Sequence, residues 1–226
     1  MNAVIGDILP LALAVAISPI PIIATILMLM SPKPRPLGLS FLGGWVVGIG
    51  VAVVAHPHPQ FGGTMDNKVV QTLHKAFAEL GFATMRFNFR GVGASAGVFD
   101  EGMGETEDAA AALAWARSQV GETTPLVAAG FSFGCFVQTQ LLPRSQPKLL
   151  VLIAPAVSRF AIPEVAKDTI VIHGDEDDVV PLADVFAWAR PQGLPVTVFP
   201  GTGHFFHGRL MELKAAVKRV VHFEAV

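Results

Sequence analysis

One cysteine, Cys135, stands in a chain of 226 residues. A lone thiol excludes an internal disulfide and any multi-cysteine metal cluster. Charge is scarce as well: Asp, Glu, Lys and Arg make up 15% of the sequence against 52% hydrophobic residues, and the mean hydropathy is +0.53. Lys and Arg do not cluster as they do along a phosphate-binding face, so no nucleic-acid partner is expected. The shortage is uneven. Residues 1–55 hold one acid (Asp7) and two bases (Lys33 and Arg35), whereas residues 56–226 hold the other 17 acids and 14 bases, a formal charge of −3. The second part has the composition of an ordinary soluble domain. The total length suits one α/β domain, or a smaller domain with an appendage.

The uncharged stretch ILPLALAVAISPIPIIATILMLM covers residues 8–30. As a helix it would extend roughly 34 Å, enough for a hydrocarbon core of about 30 Å. Ser18, Pro19 and Pro21 interrupt it; such breaks are tolerated in membranes where neighbouring groups satisfy the freed carbonyls. A signal peptide fits poorly, because no basic residue precedes the run and no small-residue cleavage site follows. The basic connector SPKPRP (31–36) leads to a second apolar stretch, LGLSFLGGWVVGIGVAVVA (37–55), whose glycines would let helices approach closely. Residues 1–48 are therefore expected to form a membrane helical hairpin ahead of a domain at 49–226. Membrane association through residues 8–30 and 37–55 would place the protein at a bacterial inner membrane. Without insertion the expected location is cytoplasmic. Two basic residues in the connector favour a cytoplasmic loop with both ends outside. The motifs IGDILPLALAVAISPIPIIATILMLMSP and GLSFLGGWVVG resemble the start of GAP-like multi-helix membrane proteins related to amino-acid exporters. Only the first two of several spans are matched, so no transport activity is implied.

From residue 51 the pattern changes to short apolar runs separated by amphipathic segments. VAVVA (51–55), ATMRFNF (83–89), PLVAAGF (125–131), LLVLIAP (149–155), TIVIHG (169–174) and VTVFPG (196–201) read as buried parallel strands. Helical patterns fall near 65–80, 105–119, 133–142, 182–190 and 208–221. Alternation of this kind predicts an α/β fold, a doubly wound and mostly parallel sheet, whose ligands bind beyond the carboxyl ends of the strands.

Gly130-Phe131-Ser132-Phe133-Gly134 follows the third run and opens a helix. Glycines two before and two after the serine permit a tight turn that exposes the hydroxyl. A serine nucleophile needs a base, and the base needs an orienting acid. HGDEDDVVP (173–181) supplies acids after the fifth run: Asp177 is the first choice, Asp178 the close alternative and Asp175 a remote one. His204 in GTGHFFHG follows the last run, where the base belongs; His207 is expected to pack or cap the next helix, and His173 to be structural. An oxyanion needs two aimed donors. The backbone N–H groups of Phe133 and His58 are the candidates, since Pro57 and Pro59 in the HPHPQFGG loop have none. His56 and His58 lack further ligands at metal-binding spacing, so no metal is expected. Triad chemistry requires no cofactor.

HPHPQFGGTMDNKVV, RFNFRGVGAS, GETEDAAAALAWA, GFSFG, HGDEDDVVP and GHFFHG resemble compact bacterial α/β hydrolases near the dienelactone hydrolases. The resemblance spans residues 51–226 and implies Ser132, Asp177 and His204 as triad, with Asn88, Arg90 and Gly91 shaping the sheet end. Cys135 departs from the usual glycine after GFSFG. Only Ala156–Lys167 separate two of the strands, which leaves no room for a large lid. The resemblance thus implies a small open site for compact esters, thioesters or lactones. Hydrolases of this kind begin with one or two further strands, which the membrane-like segment replaces here, so the sheet should lack its first strands. VAVVA could then complete either the sheet or the second membrane helix, and the chain reads as a fusion of two unrelated proteins. A non-catalytic membrane protein carrying an inert hydrolase fragment is the alternative function. A soluble enzyme with residues 1–48 packed as core helices is a third reading. The oligomeric state is left open.

Overall fold

The computed structural model describes residues 50–221. The expected hairpin at 1–48 and its boundary with the following domain lie outside these residues. Val51–Ala55 are described, and they form strand β1 rather than the end of a helix. All five are buried, which suits an apolar, β-branched run sandwiched between two layers of helices. The other strands are β2 (Ala83–Arg86), β3 (Leu126–Phe131), β4 (Leu149–Ile153), β5 (Ile170–Gly174) and β6 (Val196–Phe199). Every pairing is parallel and the order is β2-β1-β3-β4-β5-β6.

The helices are α1 (Lys68–Glu79), α2 (Met103–Val120), α3 (Phe133–Gln140), the single turn α4 (Leu142–Ser145), α5 (Leu182–Ala189) and α6 (Leu210–Val220). Helix α1 starts where Asn67 Oδ1 accepts the N–H of Val69. Its buried Val69, Val70, Leu73, Ala76 and Phe77 meet Leu213 and Val217 of α6 over Val54, Ala129, Val151 and Ile172 of the sheet. Complete burial of a side chain such as Phe77 contributes about 1.5–3 kcal/mol. Helix α2 and helix α3 cover the other face, through Ala109, Leu113, Phe133 and Val137 on Val53 and Leu126. Helix α2 begins with a buried glutamate: the Glu105 carboxylate accepts the N–H groups of Asp100 and Gly102. That cap satisfies donors the first helical turn leaves free.

Two elements end earlier than their apolar patterns suggest. Strand β2 stops at Arg86 instead of residue 89, because the Phe89 N–H turns away to His56 Nε2. The helix expected over 133–142 stops at Gln140; Pro143, in the first turn of α4, has no N–H to continue the ladder. Among the described residues no helix is long and apolar enough to cross a membrane.

Candidate active site

Chain direction fixes where polar side chains can gather. From β1 the chain crosses outward to the edge strand β2 and then returns past β1 to β3, so the connections diverge between β1 and β3. A crevice opens at such a switch point, beyond the carboxyl ends of the strands. Ser132 follows β3 and His58 follows β1. Both therefore border that crevice.

Ser132 adopts φ 55° and ψ −115°, a backbone conformation that a non-glycine residue takes up only under constraint. Its N–H is held by Ile153 O at 2.9 Å. A Cβ on Gly130 would run into the backbone at Gly134 and Cys135, and one on Gly134 into Ala55 O. The two glycines flanking the turn are thus required by close backbone approach. Cys135 donates to Gly130 O and Ile153 O from a fully buried position, and burial raises its thiol pKa far above the ordinary range. It stays a neutral thiol at this point.

Crossing loops after β5 and β6 bring the acid and the histidine together. Asp175 N–H donates to Phe199 O, Glu176 N–H donates to Thr202 O, and a Cβ on Gly174 would strike Thr202 O. Asp177 consequently points inward and is buried, whereas Asp175 and Asp178 are exposed. Asp177 Oδ1 accepts the N–H groups of Val179 (2.9 Å) and Val180 (2.7 Å). Its Oδ2 lies 2.7 Å from His204 Nδ1, and His204 Nε2 lies 3.0 Å from Ser132 Oγ. A proton on Nδ1, donated to the carboxylate, leaves the Nε2 lone pair facing the hydroxyl. Burial pushes the Asp177 carboxyl up. The His204 hydrogen bond, the Val180 N–H and two neighbouring imidazoles outweigh it, so the group is held below the usual carboxylate range.

The remaining histidines separate by their partners. His173 is buried at the end of β5, with Nε2 2.9 Å from Val180 O and 3.4 Å from Asp177 Oδ2. It braces the Asp177 loop. Burial, only partly offset by these acceptors, lowers its pKa. His56 accepts the Phe89 N–H at Nε2 and reaches Pro57 O from Nδ1 at 2.6 Å. Both nitrogens are occupied, and burial pushes its pKa down to about 4. His56 is thus a neutral clasp between the ends of β1 and β2, a role that only the tertiary contact reveals. His207 is exposed beside Phe205 and does not cap α6, which starts from Arg209. Asn88 accepts the Met65 N–H, Arg90 grips Asp108, and Gly91 sits at φ 72°. All three shape the loop after β2 without reaching Ser132.

Gln138 was not singled out by sequence reasoning. Its buried amide donates to Val53 O and Ala129 O, tying α3 beneath β1 and β3. A glutamine inside a short apolar helix carries no motif that would have found it.

Ser132 and His204 open into a pocket of about 280 Å³. Its walls include His58, Phe61, Phe133, Phe160 and Phe205, with Arg159 at the rim. Among the described residues no Asp or Glu lines it. His58 stacks obliquely among Phe61, Phe99, Phe133 and Phe160, with centroids 4.6–5.9 Å apart. Among the described residues no acceptor takes the backbone N–H of Phe133 or His58, and none of the His, Cys, Asp and Glu side chains group to hold a metal ion.

Many solved structures are similar to this fold. Residues 50–192 match the family model described as X-Pro dipeptidyl-peptidase (S15 family). Residues 8–66 match that of Sap, sulfolipid-1-addressing protein. An uncharacterized protein of Rickettsia prowazekii is 33% identical over 182 residues, 74% of this chain and 76% of that one. An α/β serine hydrolase without lid from Xanthomonas campestris shares 40% identity at a TM-score of 0.72, covering 76% of this chain and 80% of its own. A serine hydrolase homologue from Coxiella burnetii gives 40% and 0.72, covering 77% and 88%. With the match running from β1 to the turn after α5, the chain belongs to the S15-type X-Pro dipeptidyl-peptidase family of α/β hydrolases, as a serine hydrolase.

Proposed function

We propose that residues 49–226 hydrolyse small esters, thioesters or lactones through an acyl-enzyme on Ser132, with His204 as general base and Asp177 as its orienting acid. The carrying observation is the continuous path from Asp177 Oδ2 through His204 to Ser132 Oγ, with links of 2.7 and 3.0 Å. In this reading Ser132 Oγ attacks the carbonyl carbon while its proton passes to His204 Nε2. The carbonyl electron pair moves onto oxygen, and the free N–H groups of Phe133 and His58 receive that oxyanion. Collapse breaks the bond to the leaving group, which takes the proton from His204. Water then repeats the sequence on the acyl-enzyme, releases the acid and restores the serine. Each oxyanion donor would stabilise the transition state by about 3–4 kcal/mol.

The family name is that of a peptidase. An enzyme that removes a dipeptide from a free amino terminus must hold an ammonium group, which calls for a carboxylate. Among its described lining residues the pocket offers a guanidinium instead and no acid, which favours esters. Its modest volume suits compact substrates.

Covalent labelling tests this reading. A fluorophosphonate probe should modify the wild-type protein once, on the peptide containing Ser132, and leave His204→Ala essentially unlabelled. Labelling at another residue, or equal labelling of the variant, would overturn it.

A further inference from the structure

Two imidazoles stand beside Asp177, and the hydrolytic reading uses only His204. The other, His173, is fully buried at the end of β5, four residues before Asp177. Its Nε2 lies 2.9 Å from Val180 O and 3.4 Å from Asp177 Oδ2. A carbonyl and an ionised carboxylate only accept, so Nε2 is the nitrogen that carries the proton. That N–H donates to Val180 O and brings the positive end of its dipole beside Oδ2. Val180 N–H in turn donates to Asp177 Oδ1 at 2.7 Å. His173, Val180 and Asp177 thus close a ring around both carboxylate oxygens, while His204 Nδ1 sits 2.7 Å from Oδ2.

Packing does not account for a histidine at this place. With the proton on Nε2, Nδ1 is a bare acceptor, buried and without a partner among the described residues. An aliphatic side chain would fill the space without burying an unpaired nitrogen, which costs stability. A buried group left unpaired calls for an explanation other than stability. The charge balance supplies one. When His204 becomes an imidazolium, Asp177 must face it with a full negative charge. Burial outweighs the raising influence of Val180 O and Asp177 on the His173 pKa. His173 therefore stays neutral and does not compete for that charge.

We infer that His173 is a positioning residue for acyl transfer, whose N–H, directly and through Val180, holds Asp177 Oδ2 against His204 Nδ1. The inference rests on the reading of Ser132, His204 and Asp177 as a triad. His173 does not line the pocket, so it acts on the chemical step and not on substrate affinity.

Three substitutions separate positioning from packing. His173→Gln keeps an amide N–H near the place of Nε2, His173→Asn is too short to reach Val180 O, and His173→Leu removes the donor at similar volume. With 4-nitrophenyl butyrate, kcat should fall about ten- to a hundredfold in His173→Asn and His173→Leu, with KM little changed. His173→Gln should recover most of that loss. The acid limb of the kcat/KM profile, which reports His204 in the free enzyme, should move in His173→Asn and His173→Leu and return in His173→Gln. Introduced into Asp177→Asn, His173→Leu should change turnover by less than about twofold, because a residue that acts through Asp177 has nothing left to position. An equal loss in both backgrounds would overturn the inference. So would a wild-type kcat and pH profile in His173→Leu, or unfolding of His173→Asn and His173→Leu by circular dichroism, since positioning predicts a folded but slow enzyme. No Ser132-dependent turnover by the wild type would overturn the acyl-transfer reading and this inference with it.

Discussion

Asp177 and Glu79 are each approached by two basic side chains, in very different surroundings. Asp177 Oδ2 lies 2.7 Å from His204 and 3.4 Å from His173, with its side chain fully buried beyond the carboxyl ends of β5 and β6. Glu79 lies 2.7 Å from both Lys214 and Lys218, clamping α1 to α6, with 42% of its side chain exposed. Both carboxyls are held below their usual range. Glu79, pulled by its lysine hydrogen bonds, goes down to about 2, whereas at Asp177 the hydrogen bonds must first overcome burial. Similar distances therefore describe unlike interactions. Water screens the Glu79 cluster, and a surface pair of this kind contributes little. Around Asp177 there is no solvent to substitute for a lost partner, and its carboxylate, accepting at Nδ1, fixes which nitrogen of His204 carries the proton.

Substitution at both positions sharpens the contrast. Asp177→Asn keeps the shape but offers His204 an amide, which favours the wrong tautomer. Turnover of a short-chain ester should fall by about 10⁴-fold, on the scale seen when a triad aspartate is replaced this way. Far-ultraviolet circular dichroism should stay unchanged. A loss under tenfold would remove Asp177 from the mechanism. Glu79→Gln should have a far smaller effect: the urea midpoint should shift only slightly, by an amount that shrinks further in high salt, and turnover should be unaffected. A large, salt-independent loss of stability there would show that distance alone governs both sites.

The legible part of the fold follows the same division between apolar and polar. All six strands fall within the apolar runs that predict them; the signal is cleanest for β1, β3 and β4, which are apolar throughout and covered on both faces, while the edge strands β2 and β6 carry Thr84, Arg86 and Thr197 and are only partly buried. The Ser132 turn was readable because backbone crowding restricts two positions to glycine. Asp177 and Asp178 were harder to separate. Their side chains are chemically equal in a string of acids, and only the crossing of the β5 and β6 loops turns one inward. His56 and Gln138 derive their roles from partners 33 and 85 residues away. Periodicity and local spacing carry no trace of such contacts. The competing demands on residues 49–55 also needed three dimensions to resolve. Val51–Ala55 pair with β2 on one side and β3 on the other, which makes them the strand that carries His58 to the crevice.

We propose Ser132, in its strained turn, as the nucleophile of an assembled hydrolytic site. Hydrolysis of 4-nitrophenyl butyrate by purified full-length protein, beside Ser132→Ala, tests it most directly. Clear turnover by the wild type and a loss on the order of 10⁴–10⁶-fold in the variant are expected. Equal rates in the two proteins would contradict it.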